Sequence, residues 1–171
     1  MKSLAFHKVE PGFSWGVTNC QPHHFREIIR EASRSGRGEV CLTFDDGYAS
    51  FLEYADPELR QFGLSATIYI LTDYLGALNS WDYSSRPRPV AHLDRTQIQQ
   101  LAEHGYRIGS HTCSHRDLTR LSDEEISFEL GESRRILENL IDSPVTEISY
   151  PFGRYNRRVE ELAREAGSLR G

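Results

Sequence analysis

Two short stretches of this sequence hold side chains whose types and spacing could do chemistry together. Residues 42–47 read Leu-Thr-Phe-Asp-Asp-Gly, so two adjacent carboxylates, Asp45 and Asp46, end a run of strand-forming residues. Residues 109–115 read Gly-Ser-His-Thr-Cys-Ser-His, which sets His111 and His115 four positions apart. On a helical turn, or a loop folded like one, side chains at i and i+4 point the same way, and two imidazoles so held can share a metal ion. Such a pair standing alone is more often two surface histidines, and Asp-Asp-Gly standing alone is more often a solvated turn or a helix cap. Taken together they form a different set. Asp46 adds a hard oxygen to two nitrogens, a two-histidine, one-carboxylate arrangement with open positions that suits Zn²⁺, Co²⁺ or Fe²⁺. In a regular strand Asp45 and Asp46 would point to opposite faces. Gly47 lets the backbone bend so that both reach one pocket.

Alternating strand and helix patterns must position these groups. Residues 3–9, 39–44, 65–71, 106–110 and 146–150 read as strands. Residues 22–34, 49–62, 94–105, 122–141 and 156–167 read as helices, the second entering or kinking at Pro57. Phe25, Ile28, Ile29 and Ala32 share one face of the first helix. Asp94 caps the third and Gly105 stops it, while Ser122 and Glu125 form a capping box on the fourth. Five such alternations are the signature of parallel βα units. His7, the Asp pair, the His pair and Tyr150–Gly153 all follow strands, at the end where parallel α/β folds bind ligands. The long segment 72–93, with Trp81 and Asp82, has the length of a functional loop.

Composition narrows the classes. At 171 residues with 38% hydrophobic and 26% charged residues, the chain reads as one ordinary globular domain. A net charge of −5 lacks the basic face of a nucleic-acid binder. Residues 1–10 contain no secretory apolar core, and the best apolar run, 66–71, is too short to span a bilayer. The expectation is a chain with no membrane span, cytoplasmic as written. Cys20, Cys41 and Cys113 are odd in number and widely spaced, which implies no disulfide framework.

Thr43–Gly47 ("TFDDG"), Ser110–His115 ("SHTCSH") and Tyr150–Gly153 ("YPFG"), in this order and each after a strand, resemble the first three motifs of the polysaccharide deacetylases, carbohydrate esterase family 4 or the NodB-homology family. Residues 6–9 ("FHKV") and 79–82 ("NSWD") are similar to segments of bacterial members. The resemblance covers essentially the whole chain. It implies a distorted parallel (β/α) barrel that removes N-acetyl groups from the amino sugars of peptidoglycan, chitin or poly-N-acetylglucosamine. It implies one divalent metal, Zn²⁺ first and Co²⁺, Ni²⁺ or Fe²⁺ otherwise, held by Asp46, His111 and His115. Asp45 would be the catalytic base, and the backbone N–H of Phe152 would stabilise the oxyanion, with Pro151 and Gly153 shaping that turn. The chemistry is self-consistent: an amide is a poor electrophile, and a cation beside an unligated carboxylate both activates water and polarises the carbonyl.

Two departures accompany the resemblance. Ser149 stands where the family often carries an arginine paired with the base, so either some other residue must orient Asp45 or its pKa is less controlled. A late Leu-x-His motif that supplies the family's general acid is absent, so residues 1–171 read as a deacetylase domain lacking its last strands, with exposed edges open to self-association. His7 either lines the pocket, even standing in for that acid, or is a hydrogen-bonded structural residue. Trp15, Trp81 and Tyr83 are candidates to stack on sugar rings, and Tyr150 and Pro151 to line the substrate groove. His23, His24, His92 and His104 have no partners in sequence and read as surface residues, and Cys113 reads as a buried bystander. The alternatives are a catalytically impaired glycan-binding member and, last, a two-histidine, one-carboxylate iron oxygenase, whose usual all-strand pattern this chain lacks.

Overall fold

A period of two along Val40–Phe44 sends Leu42 and Phe44 into the core and Cys41 and Thr43 to the opposite face of the sheet. In the computed structural model, which describes residues 2–12, 19–34, 40–80, 90–168 and 171, the strands in chain order are β1 (Lys2–Phe6), β2 (Lys8–Val9), β3 (Asn19–Cys20), β4 (Val40–Phe44), β5 (Thr67–Ile70) and β6 (Arg107–Ser110). The helices are α1 (Pro22–Arg34), α2 (Asp56–Gln61), α3 (Arg95–Glu103), α4 (Asp123–Ile141) and α5 (Arg157–Glu165). A π-helical turn, Phe51–Ala55, runs directly into α2, and Pro57 sits in the first turn of that helix, where its missing N–H costs nothing.

The main sheet is parallel, in the order β1-β4-β5-β6. The expected first strand divides at His7, because β2 leaves the main sheet and pairs with β3. The expected fifth strand is reduced to a parallel bridge between Ile148 and Ser110, made by Ser110 N–H to Glu147 C=O and Ser149 N–H to Ser110 C=O, both 2.9 Å. Beyond it the chain turns at Pro151, which has no N–H to continue a ladder.

Helices cover the apolar face. Phe25 and Ile29 of α1, Leu59 of α2, Ile98 and Leu101 of α3 and Leu137 of α4 pack on Phe6, Leu42, Phe44, Ile68 and Ile108. Edge-to-face rings, Phe6 on Phe25 and Phe44 on Phe51, add their directional preference to this core. A second cluster joins Ile126 and Leu130 of α4 to Ile148 and to Val159 and Ala163 of α5, which fixes the Ser149–Gly153 segment against the sheet. Both predicted N-terminal devices form: Asp94 with Gln97 on α3, and Ser122 with Glu125 on α4. No helix among the described residues is long and apolar enough to cross a membrane.

On the other face of the sheet, Cys41, Thr43, Tyr69, Arg107, Glu147 and Ser149 help line a trench of about 570 Å³. Thr67 Oγ donates to Glu147 and accepts from Arg107 Nε, both at 3.0 Å, and so ties β5, β6 and the 147–149 segment together across it. Asp45 stands at the end of the same trench. The ends of the 72–93 segment are pinched by Asn79 N–H to Val90 C=O at 2.7 Å. Trp15, Trp81, Asp82 and Tyr83 lie outside the described residues.

Candidate active site and metal centre

The turn after β4 does not wait for Gly47. Asp46 itself adopts a left-handed φ of 70°, followed by Gly47 at 64°. An L-residue there costs about 1–2 kcal/mol, so the surroundings must hold it. They do so from the 90–93 segment: Leu93 N–H donates to Gly47 C=O at 2.8 Å, and His92 Nδ1 lies 2.8 Å from Asp46 C=O. A carbonyl only accepts, so Nδ1 carries the proton. A Cβ added to Gly47 would lie 2.9 Å from Ile70 Cδ1, which leaves glycine the residue that fits. The bend carries the Asp46 side chain inward, to 2% exposure, while Asp45 stays half-buried at the mouth of the trench.

The two histidines arrive on a second strained turn. Thr112 has φ 72° and His115 φ 61°, neither of them a glycine. His115 N–H donates to Thr112 Oγ at 3.2 Å, closing the turn on itself. Asp46 Oδ1 then lies 3.3 Å from His111 Nε2 and 3.5 Å from His115 Nε2. His111 Nδ1 donates to the Ser149 carbonyl across 2.7 Å, which leaves the Nε2 lone pair facing Asp46.

These separations can be compared with what a cation requires. Ligand distances of about 2.0–2.2 Å put tetrahedrally arranged donors roughly 3.3–3.6 Å apart, and one donor atom from each of the three residues lies within 4.8 Å of the others. Asp46 Oδ1 is buried and makes no hydrogen bond of acceptable geometry. A buried carboxylate oxygen without a donor is costly, and an ion between it and two imidazole lone pairs would satisfy it. The residues present therefore fit a divalent cation.

Electrostatics carry the same imprint. Burial alone would raise the Asp46 pKa, but His111, His7 and His115 around it hold it below the ordinary carboxylate value. Burial likewise disfavours a charged His111, yet the Asp46 carboxylate, with Asp45 and the Ser149 carbonyl adding, holds its pKa above the ordinary value. His7, just past β1, thus belongs to the electrostatic surroundings of the centre.

Asp45 is not left to orient itself: Ser149 Oγ donates to its Oδ2 at 3.0 Å. Tyr150 precedes the Pro151–Gly153 turn and stacks on Tyr155 with ring centres 5.1 Å apart. Pro151 is buried, and Phe152, at φ 61°, turns its ring outward to 60% exposure with its edge against His115. The other expected sugar-stacking residues, Trp15, Trp81 and Tyr83, lie outside the described residues. His23, His24 and His104 are exposed, as expected, and Cys113 is buried between His111 and His115, outside the Asp46–His111–His115 group. His92 overturns the sequence expectation. It is buried, stacked on Tyr48, and holds the Asp46 turn. No pattern in the sequence marks it, because its partner is a backbone carbonyl 46 residues away.

Residues 32–169 match the family model described as polysaccharide deacetylase. The chain belongs to that family. Among curated relatives, the YxkH protein of Bacillus subtilis (strain 168), named for the same family, is 33% identical over 156 residues, which cover 91% of this chain and 52% of that protein. A chitin deacetylase of Arthroderma benhamiae is 30% identical over 145 residues, covering 82% of this chain and 34% of that protein. This polysaccharide deacetylase chain thus spans about half the length, or less, of these curated relatives. Among solved structures, the Streptococcus pyogenes deacetylase PplD in complex with acetate superposes with a TM-score of 0.84 at 21% identity, covering 98% of this chain and 80% of that one. That likeness establishes the deacetylase fold for this family member.

Proposed function

We propose that this chain is a metal-dependent hydrolase that removes N-acetyl groups from the amino sugars of a polysaccharide of the chitin, peptidoglycan or poly-N-acetylglucosamine type. The observation that carries the reading is a division of labour between two adjacent carboxylates. Asp46 is buried against two imidazoles, while Asp45, half-buried beside it, is hydrogen-bonded by Ser149 and takes no part in the cluster.

Asp46, His111 and His115 would hold the cation, with zinc first among Zn²⁺, Co²⁺, Ni²⁺ and Fe²⁺. Such an ion, when bound, supplies Lewis acidity toward the amide carbonyl and acidity to a water molecule. Asp45 takes the proton of the attacking water, and the Ser149 hydroxyl keeps its carboxylate in one orientation for that transfer. The backbone N–H of Phe152, on a left-handed turn whose ring lies against His115, would donate to the developing oxyanion. The exposed rings of Phe152 and Tyr155, with Tyr150 behind, give flat apolar surfaces for the sugar rings flanking the acetamide. His7, within electrostatic reach of Asp46, is the candidate among the described residues to protonate the leaving amine.

Support also comes from the company the chain keeps, since a relative that matches it is named a chitin deacetylase. The test is direct. Elemental analysis should find close to one zinc per chain, lost in His111→Ala and His115→Ala. On acetylated chitooligosaccharides and peptidoglycan, Asp45→Asn should keep the metal and lose about 10²–10⁴-fold in turnover. Metal retained by both histidine variants would sink the ligand assignment, and unchanged turnover in Asp45→Asn would remove it as the base. The two margins of the described sheet, β1 and the 147–149 segment, are where strand pairing between copies would occur, and sedimentation of the purified chain tests that part of the proposal.

A further inference from the structure

Between the two histidines runs a stretch of backbone whose amide groups converge on one carboxylate. Glu129, in the middle of α4, is 4% exposed. Its Oε2 accepts from Cys113 N–H at 2.9 Å and from Ser114 N–H at 3.0 Å, and its Oε1 accepts from the Ser114 hydroxyl. One helical turn further on, the Ser133 hydroxyl lies 2.7 Å from that of Ser110, and Ser110 Oγ in turn accepts from Thr112 N–H. The helix therefore grips the 110–114 segment at two points four residues apart, on one face.

The grip answers a question that the backbone raises. Thr112 and His115 both hold left-handed φ values, which such residues adopt only when the surroundings over-determine them. Consecutive amides in such a turn form a concave nest suited to an anion, and Glu129 supplies that anion from within the chain. A buried glutamate on the apolar side of a helix, one turn from Ile126 and beside Leu130, would be a liability unless it were satisfied, and here it is satisfied wholly by the turn.

We propose that Glu129 is a positioning residue for the metal centre: by binding the Cys113 and Ser114 amides it fixes the turn that presents His111 and His115 to one ion. It touches neither ligand side chain, and it acts through shape rather than through its charge. The inference rests on the metal reading above.

Two near-isosteric variants separate shape from charge. Glu129→Gln keeps an oxygen able to accept from both amides, while the Ser114 hydroxyl can rotate to accept from the new NH₂ group. Glu129→Asp keeps the charge but is one methylene too short to reach both amides. Zinc affinity of each full-length variant is read by competition with a chromogenic chelator, and ligand geometry by the visible spectrum of the Co²⁺-loaded protein. Glu129→Gln should bind zinc within about threefold of the parent, with the parent's cobalt spectrum. Glu129→Asp should bind about 10–100-fold more weakly, with a shifted spectrum. A core variant far along the same helix, Leu137→Ala, should lower the melting temperature yet leave both readouts in place. Equal affinities in all forms, or glutamine weaker than aspartate, would overturn the proposal, as would a loss in Leu137→Ala as large as in Glu129→Asp. A parent chain that binds neither zinc nor cobalt would instead remove the metal centre itself, and this role with it.

Discussion

The Ser149 hydroxyl donates to Asp45 Oδ2 across 3.0 Å, while the carbonyl of the same residue accepts from His111 Nδ1 at 2.7 Å. One residue thus touches both the proposed base and a proposed ligand, through different atoms. Ser149 pairs with Asp45 through a neutral donor, and both residues line the trench.

Because the two contacts use different atoms, they can be separated. Ser149→Ala removes the hydroxyl and keeps the carbonyl. A hydrogen bond to a charged group contributes about 1.5–3 kcal/mol, and part of that would be lost from the transition state. Turnover should fall about tenfold or more, with KM and zinc affinity unchanged. A variant with full turnover would mean that Asp45 is oriented without Ser149. A variant that lost zinc would mean that the carbonyl contact depends on the side chain.

His92 offers a parallel case on the other strained turn. His92→Phe keeps a flat ring against Tyr48 but has no donor for the Asp46 carbonyl. Asp46 should then relax from its left-handed conformation, and zinc affinity should fall about tenfold, the lower end for groups that orient ligands. Isothermal titration with zinc measures it. Affinity equal to the parent's would show that the Leu93–Gly47 bond alone holds the turn.

What the sequence revealed and what it hid divide along a physical line. The grouping of Asp46, His111 and His115 was legible because their residue types and spacing follow closely on two strands of one parallel sheet. The helix caps at Asp94 and Ser122 were visible because capping is local. His92 and Ser149 were hidden because their partners are 46 and 104 residues away in sequence, brought near only by the sheet. Glu129 lay between. A charged residue on the apolar stripe of α4 contradicts the helix's own pattern, and that contradiction was a readable sign of a buried partner. The reduction of 146–150 to a single bridge was not readable, because strand propensity says nothing about where a neighbour's ladder stops.

Cys113 lies between the two proposed ligands, His111 and His115, yet burial pushes its thiol up to about 11. The thiolate is the reactive form, so the native protein should leave this residue unmodified by iodoacetamide at neutral pH. Peptide mass mapping before and after unfolding in guanidinium checks it. Labelling of Cys113 in the native state at the rate of a free thiol would mean that the ligand turn opens readily.

Titration of the centre should run in opposite directions with and without metal. In the metal-free protein, the folded chain binds the His111 proton more tightly than the unfolded chain does, because Asp46 outweighs burial. That stabilisation is complete below the ordinary histidine value of about 6.5 and is lost as pH rises through the raised one. Asp46 is depressed, so its contribution is present above the ordinary carboxylate value of about 4 and is lost as pH falls through the depressed one. The pair therefore favours the metal-free fold most between about pH 4 and about pH 6.5. A cation reverses this preference, since it needs a neutral His111 and must displace that proton. Zinc should raise the melting temperature little near pH 5.5, and increasingly as pH climbs through and beyond about 6.5, later than an ordinary histidine would allow. Melts with and without zinc across that range measure the difference directly. A zinc-induced shift independent of pH would show that no proton leaves His111 on binding, and so that its Nε2 is not a ligand.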